Sequence, residues 1–136
     1  MNVRTPEAIG DDEWTPLHIA VDKDQVATIQ MRLANGANVE AQNEHGANKE
    51  AKDDDGWTPL HAAARTDAIQ STEMLLDHRA NMVAKDDDGC TALHVAAHTD
   101  SPQSIKMLLD HGANMVARTK QGSTLLHIAA WNDNAE

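Results

Sequence analysis

One tetrapeptide, Thr-x-Leu-His, recurs through this chain at regular intervals. Its four copies begin 43, 33 and 33 residues apart, and they are Thr15–His18, Thr58–His61, Thr91–His94 and Thr124–His127. A period of this length is typical of proteins built from stacked units, in which each unit buries its apolar face only against its neighbours. The sequence therefore predicts a regular stack of similar units and not one closed globule.

The longer first interval has a visible origin in a duplicated segment. Residues 36–45 and 46–55 agree at five of ten positions, so residues 46–55 are interpreted as a ten-residue insertion that copies one loop segment. The entropic cost of closing a loop grows only slowly with its length, so such an insertion is tolerated easily. Two interpretations stay open: the added loop supplies contact area for a partner, or it is a duplication without function.

The tetrapeptide itself predicts the start of a helix. Thr58 can cap the helix N-terminus with its hydroxyl, and Pro59 suits the first helical position, where no N–H is needed. His61 follows three residues after the cap and can reach back to it, as Glu does in a capping box. Apolar residues at helical spacing then predict a second helix from Ile69 to His78. Each unit is therefore predicted to be two helices joined by a turn and followed by a hairpin-like loop.

The residue after the second helix of each unit is expected to stop that helix in a left-handed conformation. Gly36 and Gly112 occupy this place in two units, whereas Arg79 occupies it in the unit between them. If Arg79 takes a positive φ, it costs up to about 1 kcal/mol relative to glycine.

Two stretches of the chain resemble a known repeat. Asp55–Ala64, followed by Met74–Asn81, resembles an ankyrin repeat, and Asp88–Asn114 repeats the pattern without a gap. The resemblance covers about residues 12–132. It implies an all-α fold with β-hairpin-like loops, an ankyrin-type helical solenoid of stacked helix-turn-helix repeats. Residues 1–136 are then a single domain, with repeats at about 12–44, 55–87 and 88–120, a partial repeat at 121–136 and the insertion at 46–55.

The chain departs from the family pattern in the turn between paired helices. This turn normally carries Gly-His, but Asp24, Asp67, Asp100 and Asp133 stand at its first position here. Aspartate tolerates the left-handed region better than most residues that carry a side chain. We therefore expect the turn to form with aspartate in that conformation.

The two ends of the stack are expected to differ. Arg32 stands where Leu75 and Leu108 occupy the inner column of the second helices, so the first repeat resembles a polar N-terminal cap. At the other end the helix over Leu125–Trp131 is followed by no second helix in the sequence. We expect its face to be either a boundary within a longer polypeptide or an interface with another copy.

Charge and cysteine content narrow the classes of partner and compartment. The formal net charge of −11 argues against nucleic acid and anionic membrane as partners, since both attract clustered Lys and Arg. Cys90 is the only cysteine, so an intramolecular disulfide is impossible and a reducing, cytoplasmic setting fits best. The sequence contains no run of 18 apolar residues, which is the length that would predict a membrane span.

Metal binding and catalysis find little support in the sequence. His94 and His98 have the i, i+4 spacing of two ligands on one helix face, but His94 belongs to the capping motif and a zinc site needs more ligands. Cys90 precedes His94 by four residues, yet nothing nearby should lower the pKa of the thiol. No phosphate-binding loop or nucleophile elbow is present. We expect no metal, no cofactor and no enzymatic activity.

Recognition of another protein is the function that the resemblance implies. Ankyrin proteins hold partners on their finger tips and on the exposed side of the first helices, which line a concave groove. The matching candidates here are Trp14, Asp54, Asp55, Trp57, Arg65, Asp87, Asp88, His98 and Trp131. Tryptophan is enriched at interfaces, although packing on a neighbouring finger is the open alternative for Trp14 and Trp57.

Two hypotheses about function follow. The first is a non-enzymatic scaffold whose acidic groove binds a basic segment of another protein, because a row of acidic tips favours basic partners. The second is a structural segment of a longer polypeptide that self-associates through its C-terminal face.

Overall fold

The computed structural model describes residues 14–42 and 56–135, with side chains through Trp131. This part of the chain contains seven helices, so the expected all-α repeat solenoid is confirmed. The insertion at 46–55 lies outside the described residues. The helices are α1 (Pro16–Asp22), α2 (Val26–Ala34), α3 (Pro59–Arg65), α4 (Ile69–Asp77), α5 (Ala92–His98), α6 (Pro102–Asp110) and α7 (Leu125–Ala135).

The helices pack in two layers. Helix α3 lies between α1 and α5, and α5 in turn contacts α7, so the first helices of successive repeats form one layer. Helix α4 lies between α2 and α6 in the other layer. Ala62, Ala63 and Ala96 are fully buried in the first layer, where their small side chains let neighbouring helices approach closely. The core between the layers is mostly aliphatic, with Ile29, Leu75 and other apolar side chains excluded from water.

The first helix of each of the first three repeats begins with the predicted capping box. The hydroxyl of Thr58 accepts from the backbone N–H of His61, and Nδ1 of His61 accepts from the backbone N–H of Thr58 at 3.0 Å. The same reciprocal bonds are formed by the Thr–His pairs at the starts of α1 and α5. The prediction from Thr-x-Leu-His is therefore confirmed, and the histidine takes the place of the usual Glu.

The second helices α4 and α6 are bound to the repeat before by its turn aspartate, and in α6 this contact caps a backbone N–H. No side chain of its own repeat caps α4 or α6. Instead, Oδ1 of Asp67 accepts from the backbone N–H of Ser104 in the first turn of α6 at 2.8 Å, and Asp24 accepts from the Ser71 hydroxyl in α4. Asp24, Asp67 and Asp100 have φ of 53°, 56° and 54°, which confirms the left-handed turn. The same turn expected at Asp133 is wrong, because α7 continues through this residue to Ala135. The turn aspartate thus both shapes its own repeat and binds the next one.

The predicted helix stops are also confirmed. Gly36 and Gly112 have φ of 88° and 97°, and Arg79 has φ of 66° in the equivalent place. The backbone N–H of Ala80 bonds back to the Leu75 carbonyl at 2.9 Å, as Ala113 N–H does to Leu108. Arg79 therefore forms the same helix stop with a strained backbone.

Replacing the strained residue should stabilise the domain. In Arg79→Gly we expect the melting temperature to rise by about 3 °C, because glycine adopts a positive φ without the cost of roughly 1 kcal/mol that a side chain incurs. Thermal unfolding followed by circular dichroism measures this change. Gly112→Ala is the matched control, since a Cβ there meets no atom within 4 Å and only the backbone strain is tested. A fall in melting temperature for Arg79→Gly would show that the arginine side chain contributes more than the strain costs.

Candidate functional site

Equivalent positions at the ends of the first helices line up across the stack. Asp22, Arg65 and His98 are the last residues of α1, α3 and α5, and Trp131 is the equivalent residue of α7. Because each first helix packs on the next, these four residues form one row, called here the helix-end row. Three of the predicted partner-binding residues, Arg65, His98 and Trp131, therefore lie in a single row.

Arg65 joins two of the predicted tryptophans. Its guanidinium carbon lies 5.1 Å from the ring centroid of Trp14 and 5.3 Å from that of Trp57, and the two indoles are 6.4 Å apart. Its Nη2 forms an ion pair with the Asp22 carboxylate, and both side chains are partly exposed. A cation within 6 Å of an indole face is attracted by the ring. Trp14, Asp22, Trp57 and Arg65 thus form one group, called here the Arg65 cluster, across the first two repeats.

Trp57 has a packing role in this structure. Only 4% of the residue is exposed, its ring stacks on His61 at 6.0 Å, and its Nε1 donates to Oδ2 of Asp86 at 3.0 Å. The packing alternative left open by the sequence therefore describes Trp57. Trp14 is half-buried, and its Nε1 is shielded from water with no partner among the described residues.

Asp86 is a residue that sequence reasoning missed. It is buried at 7% exposure and accepts from Trp57 Nε1 and from the backbone N–H groups of Asp88 and Cys90, at 2.9 and 2.8 Å. Burial raises the pKa of its carboxyl, and these hydrogen bonds act in the opposite direction. The available signal was its place as the first residue of a turn that ends in Gly89, where an aspartate commonly bonds the backbone ahead of it. By holding that turn, Asp86 leaves Asp87 and Asp88 exposed at the finger tip.

The exposed predicted residues lie mainly in the C-terminal half of the described structure. Asp87, Asp88 and His98 are exposed, and Trp131 is 71% exposed. Asp54 and Asp55 were predicted to extend the acidic tips, but they lie outside the described residues. Of the nine predicted residues, the structure brings three into the Arg65 cluster and places four on the surface.

The chemistry available at Cys90 and His94 does not favour catalysis. Burial, aided by the Asp86 and Asp88 carboxylates, raises the pKa of the Cys90 thiol to about 12, so it stays protonated at neutral pH. Both ring nitrogens of His94 are engaged, Nδ1 with Thr91 and Nε2 with the Ala117 carbonyl. Within residues 14–42 and 56–135 there is no group of three or more potential metal ligands.

The motif histidines are held neutral by burial. Burial lowers the pKa of His18 and His61 to about 4 from the ordinary 6.5, and it lowers the pKa of His94 as well. Each ring also donates from Nε2 to a backbone carbonyl, which partly opposes this shift. A proton on any of these rings is therefore bound more tightly by the unfolded chain than by the folded one.

Stability should consequently fall in mild acid. The folded pKa lies below the unfolded value, so the stabilisation is complete above pH 6.5 and is lost as the pH falls below it. Between pH 6.5 and 5 we expect the unfolding free energy to decrease by up to about 1.4 kcal/mol per pH unit for each histidine that titrates only on unfolding. Urea titrations at several pH values measure the slope.

One variant tests the origin of this slope. His61→Gln should reduce it by one proton, because the ring of His61 is buried in the folded chain and its pKa is lowered there. Equal slopes in His61→Gln and the original chain would contradict the assignment.

Stacked pairs of antiparallel helices, each opened by a Thr–His capping box and joined by finger-like loops, define the class of helical repeat solenoids. Among known families, the model described as ankyrin repeats (3 copies) matches residues 42–119 and 83–136, and the model of a single ankyrin repeat matches residues 12–44. The chain therefore belongs to the ankyrin repeat family. A comparison with curated proteins finds no match. In the described part of the chain, none of the helices has the length and apolarity required to cross a membrane.

Proposed function

We propose that this ankyrin repeat protein is a non-enzymatic scaffold that binds a basic segment of another protein in a concave groove. Ankyrin repeats are generally protein–protein interaction modules. The observation that carries the proposal is the exposure of Trp131, at 71%, in the same row as Arg65 and His98. An indole left in water is a good anchor for a partner.

We assign the proposed contact surface to the C-terminal half of the groove, and the exposure of its residues supports this assignment. In the first two repeats, Arg65 already lies over both indoles and pairs with Asp22, so this region carries its own cation. Asp87, Asp88, His98 and Trp131 are the exposed members of the predicted set. We therefore assign the partner contacts to these four residues, with Asp54 and Asp55 as proposed additions from the preceding finger.

Charge explains why the partner segment should be basic. Asp87 and Asp88 are exposed carboxylates at one finger tip, and the chain as a whole has a net charge of −11. Exposed charges of one sign steer oppositely charged partners and are screened by salt. One arginine of the partner can pair with a carboxylate at the finger tip, and a second arginine of the partner can lie over the Trp131 ring. The same proposal places the protein inside the cell, where a lone cysteine such as Cys90 persists as a thiol.

Binding can be tested with a defined basic probe. A fluorescein-labelled twelve-residue peptide of alternating Arg and Gly is titrated with the protein, and fluorescence anisotropy gives the Kd. We expect Trp131→Ala to weaken binding by about tenfold or more, as loss of an interface anchor does. The Asp87→Lys, Asp88→Lys double variant should also weaken binding. The loss of affinity should be larger at low salt than at high salt, because salt screens the charges at the finger tip.

The control has the same charge change on another surface. Glu73→Lys with Asp77→Lys alters two exposed residues of α4, in the layer of second helices, and should leave the Kd within about twofold. The proposed acidic groove would be contradicted if this control lost as much affinity for the basic peptide as the Asp87→Lys, Asp88→Lys variant does. It would also be contradicted if a peptide of alternating Glu and Gly bound as tightly as the basic peptide.

A second candidate function is self-association through α7. The motif leucines Leu17, Leu60 and Leu93 are buried at 2, 1 and 3% exposure, but the equivalent Leu126 is 67% exposed. Its apolar surface favours a contact with another copy or with further repeats. Leu126→Lys separates the two candidates: it should abolish any concentration-dependent dimer in sedimentation velocity while preserving binding of the basic peptide.

A further inference from the structure

A cavity in the first repeat contains an arginine donor that has no acceptor. The cavity has a volume of about 380 Å³ and is lined by the start of α1, the end of α2 and the finger that follows α2. Arg32 lies on its wall, and the Nε of Arg32 is shielded from water and donates to no group within residues 14–42 and 56–135. A buried donor without an acceptor is unfavourable, so a group that accepts from it is bound favourably.

This arginine stands where the next two repeats carry a buried leucine. The carbonyl of Arg32 accepts from the backbone N–H of Ala37 after α2, and the carbonyls of Leu75 and Leu108 accept in the same way after α4 and α6. Both leucines are fully buried. Met31, which precedes the arginine, also lines the cavity and is 58% exposed. The cavity therefore offers apolar surface beside a cation.

The equivalent surface of the second repeat already binds a carboxylate. Oε2 of Glu40, on the finger of the first repeat, accepts from the backbone N–H of Asn81 at 2.9 Å. Nε2 of Gln42, two residues further along the same finger, donates to the Lys85 carbonyl at 3.0 Å. Val39, the apolar residue before the glutamate, packs against the core. A short segment with one glutamate therefore binds this surface in the second repeat.

Asn38 is the equivalent of Asn81 in the first repeat. The side chain of Asn38 accepts from the backbone N–H of Glu40 at 2.9 Å, and that of Asn81 accepts from the backbone N–H of Val83 at 3.0 Å. Asn38 also lines the cavity, together with Arg32. Its own backbone N–H, the counterpart of the one that binds Glu40, has no acceptor in the part of the chain that the structure describes. Two donors, one of them charged, are thus available at the cavity.

We propose that the cavity of the first repeat binds a short segment of another protein that presents a glutamate, as Glu40 and its neighbours bind the second repeat. The carboxylate accepts from the backbone N–H of Asn38 and from the guanidinium of Arg32. The apolar residue before it packs against the exposed side of Met31. Hydrogen bonds between a guanidinium and a carboxylate are shorter and stronger than neutral ones, so the charge of the segment determines its affinity.

This site is separate from the groove proposed for a basic segment. The cavity lies at the start of α1, whereas the helix-end row begins at Asp22, the last residue of that helix. The two sites also have opposite charge, since the groove presents the carboxylates of Asp87 and Asp88 and the cavity presents the guanidinium of Arg32. Failure of one proposal therefore leaves the other standing.

A peptide copied from the protein's own finger is the probe. Acetylated and amidated Ala-Asn-Val-Glu-Ala-Gln, the sequence of residues 37–42, is titrated into the 15N-labelled full-length chain. We expect the signals of the Asn38 N–H and the Arg32 Nε–H to shift and to saturate. The same peptide with glutamine in place of its glutamate should bind about fivefold more weakly or worse, because it loses the charge-assisted hydrogen bonds.

Two variants connect these shifts to the cavity. Arg32→Leu introduces the residue of the equivalent positions in α4 and α6, and it should lower the affinity for the glutamate peptide to that for the glutamine peptide. Lys23→Leu is the matched control, because it removes a positive charge from an exposed residue at the end of α1 and should leave the Kd within about twofold. The comparison of the two peptides on the unaltered chain does not depend on the folding of either variant.

Four results would overturn the proposal. They are the absence of a saturable shift at Asn38, equal affinity for the two peptides, a preference for the glutamate peptide that persists in Arg32→Leu, and equal affinity for free N-acetylglutamate, which would make the cavity a site for small carboxylates. Signals of Asn38 that change with protein concentration in the absence of peptide would assign the cavity to a second copy and would also overturn it.

Discussion

The structure depends on a neutral imidazole that bonds in two directions. In His18, His61 and His94, Nδ1 accepts from the backbone N–H of the helix cap. Nε2 of His18 and of His61 reaches a carbonyl of the following repeat, that of Trp57 at 2.7 Å and that of Cys90 at 2.8 Å, whereas Nε2 of His94 reaches the Ala117 carbonyl in the finger of its own repeat at 2.9 Å. The first two rings therefore each fix the start of a helix and bind it to the next repeat. Because Nδ1 accepts, the proton must be on Nε2, and burial keeps the second proton away.

Because the repeats are held together in this way, equivalent residues of successive repeats lie next to one another on the surface of the domain. Once the first helices are aligned, residues at equivalent positions form a row because the repeat places them at the same point of each helix. Arg65, His98 and Trp131 are such residues. The Arg65 cluster then adds a link between the first two repeats, since its cation belongs to α3 and its carboxylate, Asp22, to α1. The stability of a repeat protein is approximately the sum of the intrinsic stabilities of its repeats and of nearest-neighbour links of this kind.

Local features of this fold could be predicted because each depends on residues that lie close together in the sequence. Spacing alone identified the Thr–His capping boxes, the turn aspartates and the strained Arg79. The links between repeats were harder. The pair of Arg65 with Asp22 spans 43 residues, and Asp86, Asp87 and Asp88 are identical in type, so only the structure shows that Asp86 is buried under Trp57. For the same reason the sequence could not choose between partner contact and packing for Trp57. The exposure of Asp87, Asp88 and Trp131 agrees with the sequence analysis, whereas their role in partner binding stays a prediction.

The protonation state of the motif histidines tests the account most directly. Long-range 1H–15N correlation NMR on uniformly labelled protein at pH 7 distinguishes the two neutral tautomers and the imidazolium by their 15N shifts. The account predicts that His18, His61 and His94 are Nε2–H tautomers with unprotonated Nδ1 at pH 7, and that His18 and His61 remain so at pH 5.5. Protonation at Nδ1 of any of the three rings at pH 7, or imidazolium shifts for His18 and His61 at pH 5.5, would contradict it.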